Sequence, residues 1–274
     1  MSPEPDRLCS LLRSVAEAEI MPRFRQAATH SKADGSLVTE ADLAAQQRIC
    51  DELGCIWPEI PVLGEEMTPE TQQQLIANAD VGVWCLDPLD GTSNYAYGFP
   101  YFCISLALLR GGEPVLGCIV DPVHNECFWA ERGVGAFCDG EPLRLASERT
   151  ELRECLAIVD LKRLLKEDLP SMGGQSPFCS QRNLGSIALE WCWLAAGRIQ
   201  LYLHGGQKLW DYAAGRLIAS EAGAVSRLFA RSGGLPAAGL SLEPRMAIAA
   251  ENAALFERLL EWWLGLPHGD IRPF

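Results

Sequence analysis

Two aspartates three residues apart, in Trp84-Cys85-Leu86-Asp87-Pro88-Leu89-Asp90-Gly91-Thr92, carry the strongest chemical signal in the sequence. An apolar run feeds into D-P-x-D-G-T, so the pattern predicts a strand ending in a tight turn, with Pro and Gly fixing the backbone. Two ionised carboxylates about 4 Å apart repel by about 4 kcal/mol at an effective dielectric of 20. Residues 49–109 hold no Lys or Arg, yet nine carboxylates: Asp51, Glu52, Glu59, Glu65, Glu66, Glu70, Asp80, Asp87 and Asp90. A solvated acidic face accounts for Asp51 and Glu52, but not for carboxylates embedded in VLGEEM and WCLDPLDGT. Those positions call for a cation. An oxygen-only donor set selects a hard ion, Mg²⁺ first and Mn²⁺ second. Gly91 and Thr92 could also offer backbone N–H groups to a phosphate if a helix starts there.

Similar letters serve other chemistries. Aspartic proteases use D-T-G twice, whereas D-G-T occurs here once. Phosphatases of the haloacid dehalogenase type use D-x-D-G-T with an aspartate nucleophile; the D-x-x-D spacing turns the second carboxylate differently and leaves that reading a minor alternative. A P-loop is absent, and Gly133-Val134-Gly135 lacks the third glycine of a dinucleotide turn.

The elements that must hold these residues follow from periodicity. Leu8, Leu11, Leu12, Val15, Ile20 and Phe24 predict an opening helix kinked at Pro22. Residues 32–36 form a turn cluster, and Thr39 with Asp42 reads as a helix start with a stripe through Leu43, Ile49 and Leu53. Strands are expected over 62–63, 81–86, 102–109 and 114–121, the last two joined at Gly111-Gly112, with a hairpin over 126–131 and 135–138. Near Ser147 the pattern changes to alternation, with strands over 156–159, 200–203, 224–229 and 246–249 and helices over 187–196, 212–222 and 253–264. This predicts two intimately packed halves, 1–146 and 147–274, in one compact α+β unit.

Composition narrows the class. The chain has 274 residues, 48% hydrophobic and 22% charged, which excludes disorder, collagen and coiled coil. A net charge of −13 argues against a nucleic-acid binder. The polar start MSPEPDRL resembles no signal or transit peptide, and no apolar run is long enough for a membrane span, so a cytoplasmic protein is expected. Eleven scattered cysteines without C-x-x-C predict reduced thiols rather than a disulfide scaffold or a zinc site, and the four histidines are equally dispersed.

Gly64-Glu65-Glu66, WCLDPLDGTSNYAYGFPY at 84–101 and LWDYAAGRLIASEAGA at 209–224, with KADGSLVTEAD at 32–42 as a fourth motif, resemble the inositol monophosphatase family in the right order across essentially the whole chain. The resemblance implies a layered αβαβα sandwich and Mg²⁺-dependent hydrolysis of a small phosphorylated alcohol by metal-activated water attack. Carried onto this sequence, it implies Glu65, Asp87 and the carbonyl of Leu89 as ligands of one metal. Asp87, Asp90 and Asp211 would hold a second, with Glu65 facing a third, looser ion and Mn²⁺ as a substitute for Mg²⁺. Thr92 and Asp42 would orient the nucleophilic water, Asp42 accepting its proton, with Glu65 beside them and Glu66 behind the ligands. Substrate contacts would come from Gly91, Thr92, Gly185, Ser186, His204 and Asp211. The family also implies a homodimer and sensitivity to Li⁺.

Departures from the pattern bear on substrate. Gln200 replaces a usual aspartate, His204 stands where inositol-type enzymes carry a glutamate, and 160–179 is short. Inositol phosphates, fructose 1,6-bisphosphate, 3′-phosphoadenosine 5′-phosphate, histidinol phosphate and NADP therefore all stay open. A catalytically idle relative, kept as a binding or regulatory partner, is the alternative from another class.

Overall fold

The computed structural model describes residues 3–26, 29–31, 37–77, 82–160, 176–230 and 239–266. Its first half runs α1 (Pro5–Val15), β1 (Thr29–Ser31), β2 (Leu37–Thr39), α2 (Glu40–Ile56), β3 (Val62–Gly64), α3 (Pro69–Ile76), β4 (Val83–Asp90), α4 (Thr92–Ala96), β5 (Cys103–Arg110), β6 (Glu113–Asp121), β7 (Glu126–Glu131), β8 (Gly135–Cys138) and β9 (Glu141–Leu143). The second half runs β10 (Leu156–Asp160), β11 (Ser180–Arg182), α5 (Ile187–Ala195), β12 (Leu201–Gln207), α6 (Leu209–Glu221), β13 (Val225–Ala230), β14 (Arg245–Ala250) and α7 (Ala253–Gly265). β3 to β9 form a seven-stranded sheet in chain order, antiparallel except for β3 with β4. The second sheet has the order β11-β10-β12-β14-β13, parallel across β11, β10 and β12. β1 and β2 pair separately.

Strand alternation sorts the side chains into three cores. On β4, Trp84 and Leu86 face one side, where Leu8, Leu12, Ile49 and Leu53 of α1 and α2 cover the sheet. Val83 and Cys85 face the other side, where α5 and α6 lie between the two sheets with Leu189, Trp191, Ala213 and Ile218. On the second sheet Ile158, Tyr202 and Ala249 face those same central helices, whereas Leu201, Leu203 and Ile248 face Leu255, Phe256 and Leu259 of α7. The layers are thus helix, sheet, helix, sheet, helix, the αβαβα sandwich expected from the motifs. A Cβ at Gly215 would lie 2.6 Å from the Cβ of Trp191, so this glycine is what lets α5 and α6 touch.

The structure corrects several local expectations. The opening helix does not continue with a kink: it passes into a π turn at Ala16–Ile20 and a 3₁₀ turn at Met21–Arg23, and Phe24 is extended, since Pro22 cannot donate to a continuing helix. The D-P-x-D segment is no tight turn; β4 runs on through Asp90, with its register shifted between Asp87 and Asp90. The turn cluster at 32–36 lies outside the described residues. Not all cysteines are free thiols. Cys9 and Cys127, 118 positions apart, form a disulfide with Cα atoms 6.2 Å apart, because α1 packs across β6 and β7. Cys118 Sγ lies 3.5 Å from Cys9 Sγ and 3.7 Å from Cys127 Sγ. No helix among the described residues is long and apolar enough to cross a membrane.

Candidate active site

β4 is buried along its whole length, so Asp87 and Asp90 are carried into the interior by Val, Trp, Cys and Leu neighbours that must be there. Asp87 follows Val83 and Cys85 onto the face toward the central helices. The register shift after it brings Asp90 to the same side, and its carboxylate lies against Ser186 and the start of α5. Gly91 then adopts φ 91°, and a Cβ there would meet the Tyr101 carbonyl oxygen at 3.0 Å and Ser186 Cβ at 3.2 Å. Only glycine can turn the chain there and let α4 begin at Thr92.

Asp211 arrives from the second half, at the third position of α6, where its Oδ2 accepts the Lys208 N–H at 2.8 Å. The carboxylate oxygens of Asp87, Asp90 and Asp211 lie within 4.8 Å of one another. Each is aimed by the chain. Leu89 N–H donates to Asp87 Oδ1 at 3.0 Å, while Ser186 Oγ and Ala188 N–H donate to Asp90 Oδ2 at 2.6 and 2.7 Å. Glu65 follows β3, its N–H bonded to the Leu86 carbonyl at 3.1 Å, which sets it alongside β4.

Asp42 caps α2 from within: its Oδ2 accepts the Thr39 N–H at 2.8 Å and the Thr39 hydroxyl at 2.6 Å. Its other oxygen, Oδ1, lies 3.1 Å from Thr92 Oγ1, which also lies 2.9 Å from the Leu89 carbonyl. Thr92 has one hydroxyl proton for these two acceptors. The four stretches that carry the sequence motifs therefore converge at the end of β4.

Electrostatics explain why an all-oxygen donor set stands out here. Burial, then the charges of Glu65, Asp90 and Asp211, hold the Asp87 carboxyl well above the ordinary range. Burial raises Asp90 to about 6 against the lowering effect of Ser186 and the α5 backbone. Asp211 is raised by burial, then by Asp90 and Glu65, and only partly relieved by Lys208. Asp42 is raised too, chiefly by burial, its bonds to Thr39 and Thr92 opposing. Three buried carboxyls that resist ionisation together, each with one oxygen anchored by the chain, suit a hard divalent cation.

The remaining sequence candidates divide. Gly185, at φ 82°, and Ser186 lie against Asn94 and Asp90 at this site. Glu66 is half-buried and donates its N–H to Gln46 Oε1, holding β3 to α2. Gln200 binds the backbone of Leu156 and Gly197 at the start of the second sheet, so its departure from the family pattern is structural. His204 is only 2% exposed. Its Nδ1 accepts the Gly206 N–H at 3.2 Å, which puts the proton on Nε2, 3.2 Å from Asp160 Oδ2. The sequence reading missed Asp160 and Glu190. Glu190 had a visible signal, one charge inside the apolar helix I-A-L-E-W-C-W-L-A. Asp160 had none, since a carboxylate at a strand end is ordinary.

The chain as a whole resembles known proteins. The family model described as "Inositol monophosphatase family" matches residues 7–262. The Nus factor SuhB of Xylella fastidiosa is 35% identical over 201 residues, 68% of this chain and 66% of that protein, so the match spans just under two thirds of its length. The fructose-1,6-bisphosphatase/inositol-1-monophosphatase of Thermotoga maritima is 36% identical over 193 residues, 69% of this chain and 70% of that protein. Among solved structures, a Thermotoga maritima IMPase superposes with a TM-score of 0.78 at 29% identity, covering 94% of this chain and 95% of that one. With the family model matching residues 7–262 and the layered fold shared with a solved member, the chain belongs to the inositol monophosphatase family.

Proposed function

We propose that this protein is a Mg²⁺-dependent phosphomonoesterase acting on a small phosphorylated alcohol. The observation that carries the reading is the meeting of Asp87, Asp90 and Asp211, whose carboxylate oxygens lie within 4.8 Å. Asp87, Asp90 and Asp211 would hold one ion, and Glu65, Asp87 and the Leu89 carbonyl another; Mn²⁺ is a chemically sound substitute, and Glu65 is the group left for a third, looser ion. Such ions supply positive charge that acidifies water and stabilises the leaving oxygen.

The protein's own groups do the rest. If Leu89 turns its carbonyl to a cation, the Thr92 hydroxyl proton goes to Asp42 Oδ1, and the Thr92 oxygen can then accept from the attacking water. Asp42, with one oxygen committed to Thr39, keeps Oδ1 for that proton relay. Gly91, Thr92, Gly185 and Ser186 surround Asp90 and form the wall against which the phosphate rests.

His204 and Asp160 follow Tyr202 and Ile158 by two residues on adjacent strands, so they share the face toward the central layer. We place the Asp160 carboxylate, 13% exposed and bonded by His204 Nε2–H, on the side of the substrate hydroxyls. The role that a glutamate at position 204 would play has moved one strand over. A cytoplasmic homodimer completes the reading on family grounds.

A second reading, a binding partner without turnover, draws support from the relatives named Nus factor SuhB. The complete carboxylate set favours catalysis, because an idle copy gains nothing from three buried, mutually repelling acids. Phosphate release from a panel (myo-inositol 1-phosphate, fructose 1,6-bisphosphate, 3′-phosphoadenosine 5′-phosphate, histidinol phosphate, NADP), with Mg²⁺ and with chelator, decides between them. Chelator-sensitive release supports the enzyme; silence across the panel supports the partner.

A further inference from the structure

Behind Asp90 lies a buried polar network that the proposed chemistry does not use. Glu190, in the first turn of α5, is 1% exposed, yet its Oε1 accepts the N–H of Leu184 at 3.2 Å and of Gly185 at 3.0 Å. Tyr202 on β12 sits beside this carboxylate: burial first, then the charge of Glu190, push its hydroxyl up. Gln207 Nε2 donates to Tyr202 Oη at 2.8 Å, and Trp191 Nε1 donates to Gln207 Oε1 at 3.1 Å. Two backbone donors thus converge on one Glu190 oxygen, with the Trp191–Gln207–Tyr202 chain packed beside it.

The segment that Glu190 grips leads directly to the site. Gly185 is followed by Ser186, whose hydroxyl holds Asp90 Oδ2 at 2.6 Å, and the first turn of α5 adds the Ala188 N–H at 2.7 Å. On its other side, Asn94 of α4 ties the Leu184 carbonyl at 2.7 Å. Gly185, at φ 82°, has no steric preference to hold its own conformation, so the two bonds to Glu190 supply what the backbone lacks.

We propose that Glu190 is a positioning residue: it locks the Leu184-Gly185-Ser186 turn and so fixes the orientation in which Asp90 meets a divalent cation. The inference rests on Asp90 being a cation ligand. Burial raises Glu190 to about 8 even with these donors, so the fold keeps a group that is costly to bury. The Trp191–Gln207 bond ties this turn of α5 to the end of β12, which leads into Asp211. One network thus sets the relative placement of the two carboxylates that come from different halves of the chain.

The test uses the full-length protein and Mg²⁺ alone as probe, reading the melting temperature against MgCl₂ concentration. Glu190→Ala should raise the Mg²⁺ concentration for half the full rise at least tenfold, while Glu190→Gln, whose amide oxygen still accepts both N–H groups, should stay within threefold of the parent. In turnover at saturating Mg²⁺, Glu190→Ala should lower kcat at least tenfold with KM changed less than threefold, and Gln should restore most of it. A merely structural role would lower the metal-free melting temperature and leave the Mg²⁺ midpoint where it was; that result overturns the proposal. If Glu190→Ala does not fold, Glu190→Leu, which fills the space without an acceptor, decides: a midpoint raised threefold or more supports the lock, and an unchanged one overturns it. A parent protein that shows no Mg²⁺-dependent rise removes the cation centre itself, and the inference with it, whereas a parent that rises and a Glu190→Ala that follows the same curve removes the inference alone.

Discussion

Asp90→Asn should make the metal-free protein more stable at neutral pH, although it removes a group central to the proposed chemistry. In the fold Asp90 titrates at about 6 instead of 3.8, first because it is buried. A carboxyl whose folded pKa is raised contributes stability below its unfolded pKa and loses it as pH rises through the folded one. The loss for Asp90 falls between about pH 4 and pH 6, and at 1.36 kcal/mol per tenfold in proton affinity it amounts to about 3 kcal/mol. Asn should keep the bonds from Ser186 and Ala188, since its oxygen can occupy the place of Oδ2, and it carries no charge to desolvate. For a chain of 274 residues, about 2.1 cal/mol/K of unfolding entropy per residue turns 3 kcal/mol into a rise of about 5 °C. Differential scanning calorimetry in EDTA at pH 8 and pH 4.5 reads this: a gain of up to about 5 °C at the higher pH and about a third of that at the lower. A marked fall at pH 8 would show that the Asp90 carboxylate is a structural acceptor and would sink the electrostatic argument.

Other changes test neighbouring parts. Thr92→Val keeps the volume but removes the hydroxyl between Leu89 and Asp42, and should lower kcat by about two orders of magnitude with little change in melting temperature; unchanged turnover would take Thr92 out of the proton path. Gly91→Ala forces a Cβ to 3.0 Å from the Tyr101 carbonyl at φ 91°, and should destabilise by about 1–3 kcal/mol in urea unfolding; a neutral effect would mean that the backbone there relaxes freely. Reducing the Cys9–Cys127 bond, which closes a loop of 118 positions, should lower stability by up to about 5 kcal/mol on the chain-entropy model; Cys127→Ser should match the reduced parent, and an identical melting temperature with and without reductant would refute the tie. His204→Glu sets two carboxylates against each other at Asp160, so the single change should lower activity, and only together with Asp160→Asn should preference shift toward myo-inositol 1-phosphate. A gain from His204→Glu alone would show that Asp160 does not face the substrate.

The fold was legible wherever one physical signal dominated. The all-apolar strand entering D-P-x-D-G-T, the Thr39/Asp42 cap and the Gly111-Gly112 turn each depend on neighbours in sequence, and each stands within a residue or two of its expected place. The bulged end of β4 was not legible, because Pro and Gly signal a turn whether or not a partner strand continues beside them. Here β5 does continue, pairing Asp90 with Cys103. The Cys9–Cys127 bond depends on how α1 crosses β6 and β7, which no spacing encodes. At the proposed site, Asp87 and Asp90 stood out because their cost without a cation is visible in composition, whereas Asp42 and Asp211 came only from the family resemblance. Asp160 and the network behind Glu190 did not stand out, since their meaning comes from which strand lies next to which: β10 beside β12, and α5 against both β4 and β12.

The measurement that bears most directly on the function is phosphate release from the panel as Mg²⁺ is titrated, run side by side on the parent and on Asp211→Asn. The parent should hydrolyse at least one phosphomonoester with a saturable dependence on Mg²⁺, fall to background in chelator and be inhibited by Li⁺. Asp211→Asn, folded by circular dichroism, should lose at least two orders of magnitude in kcat. Undiminished turnover in chelator, or by Asp211→Asn, would contradict the assignment of Asp87, Asp90 and Asp211 as the working cation centre.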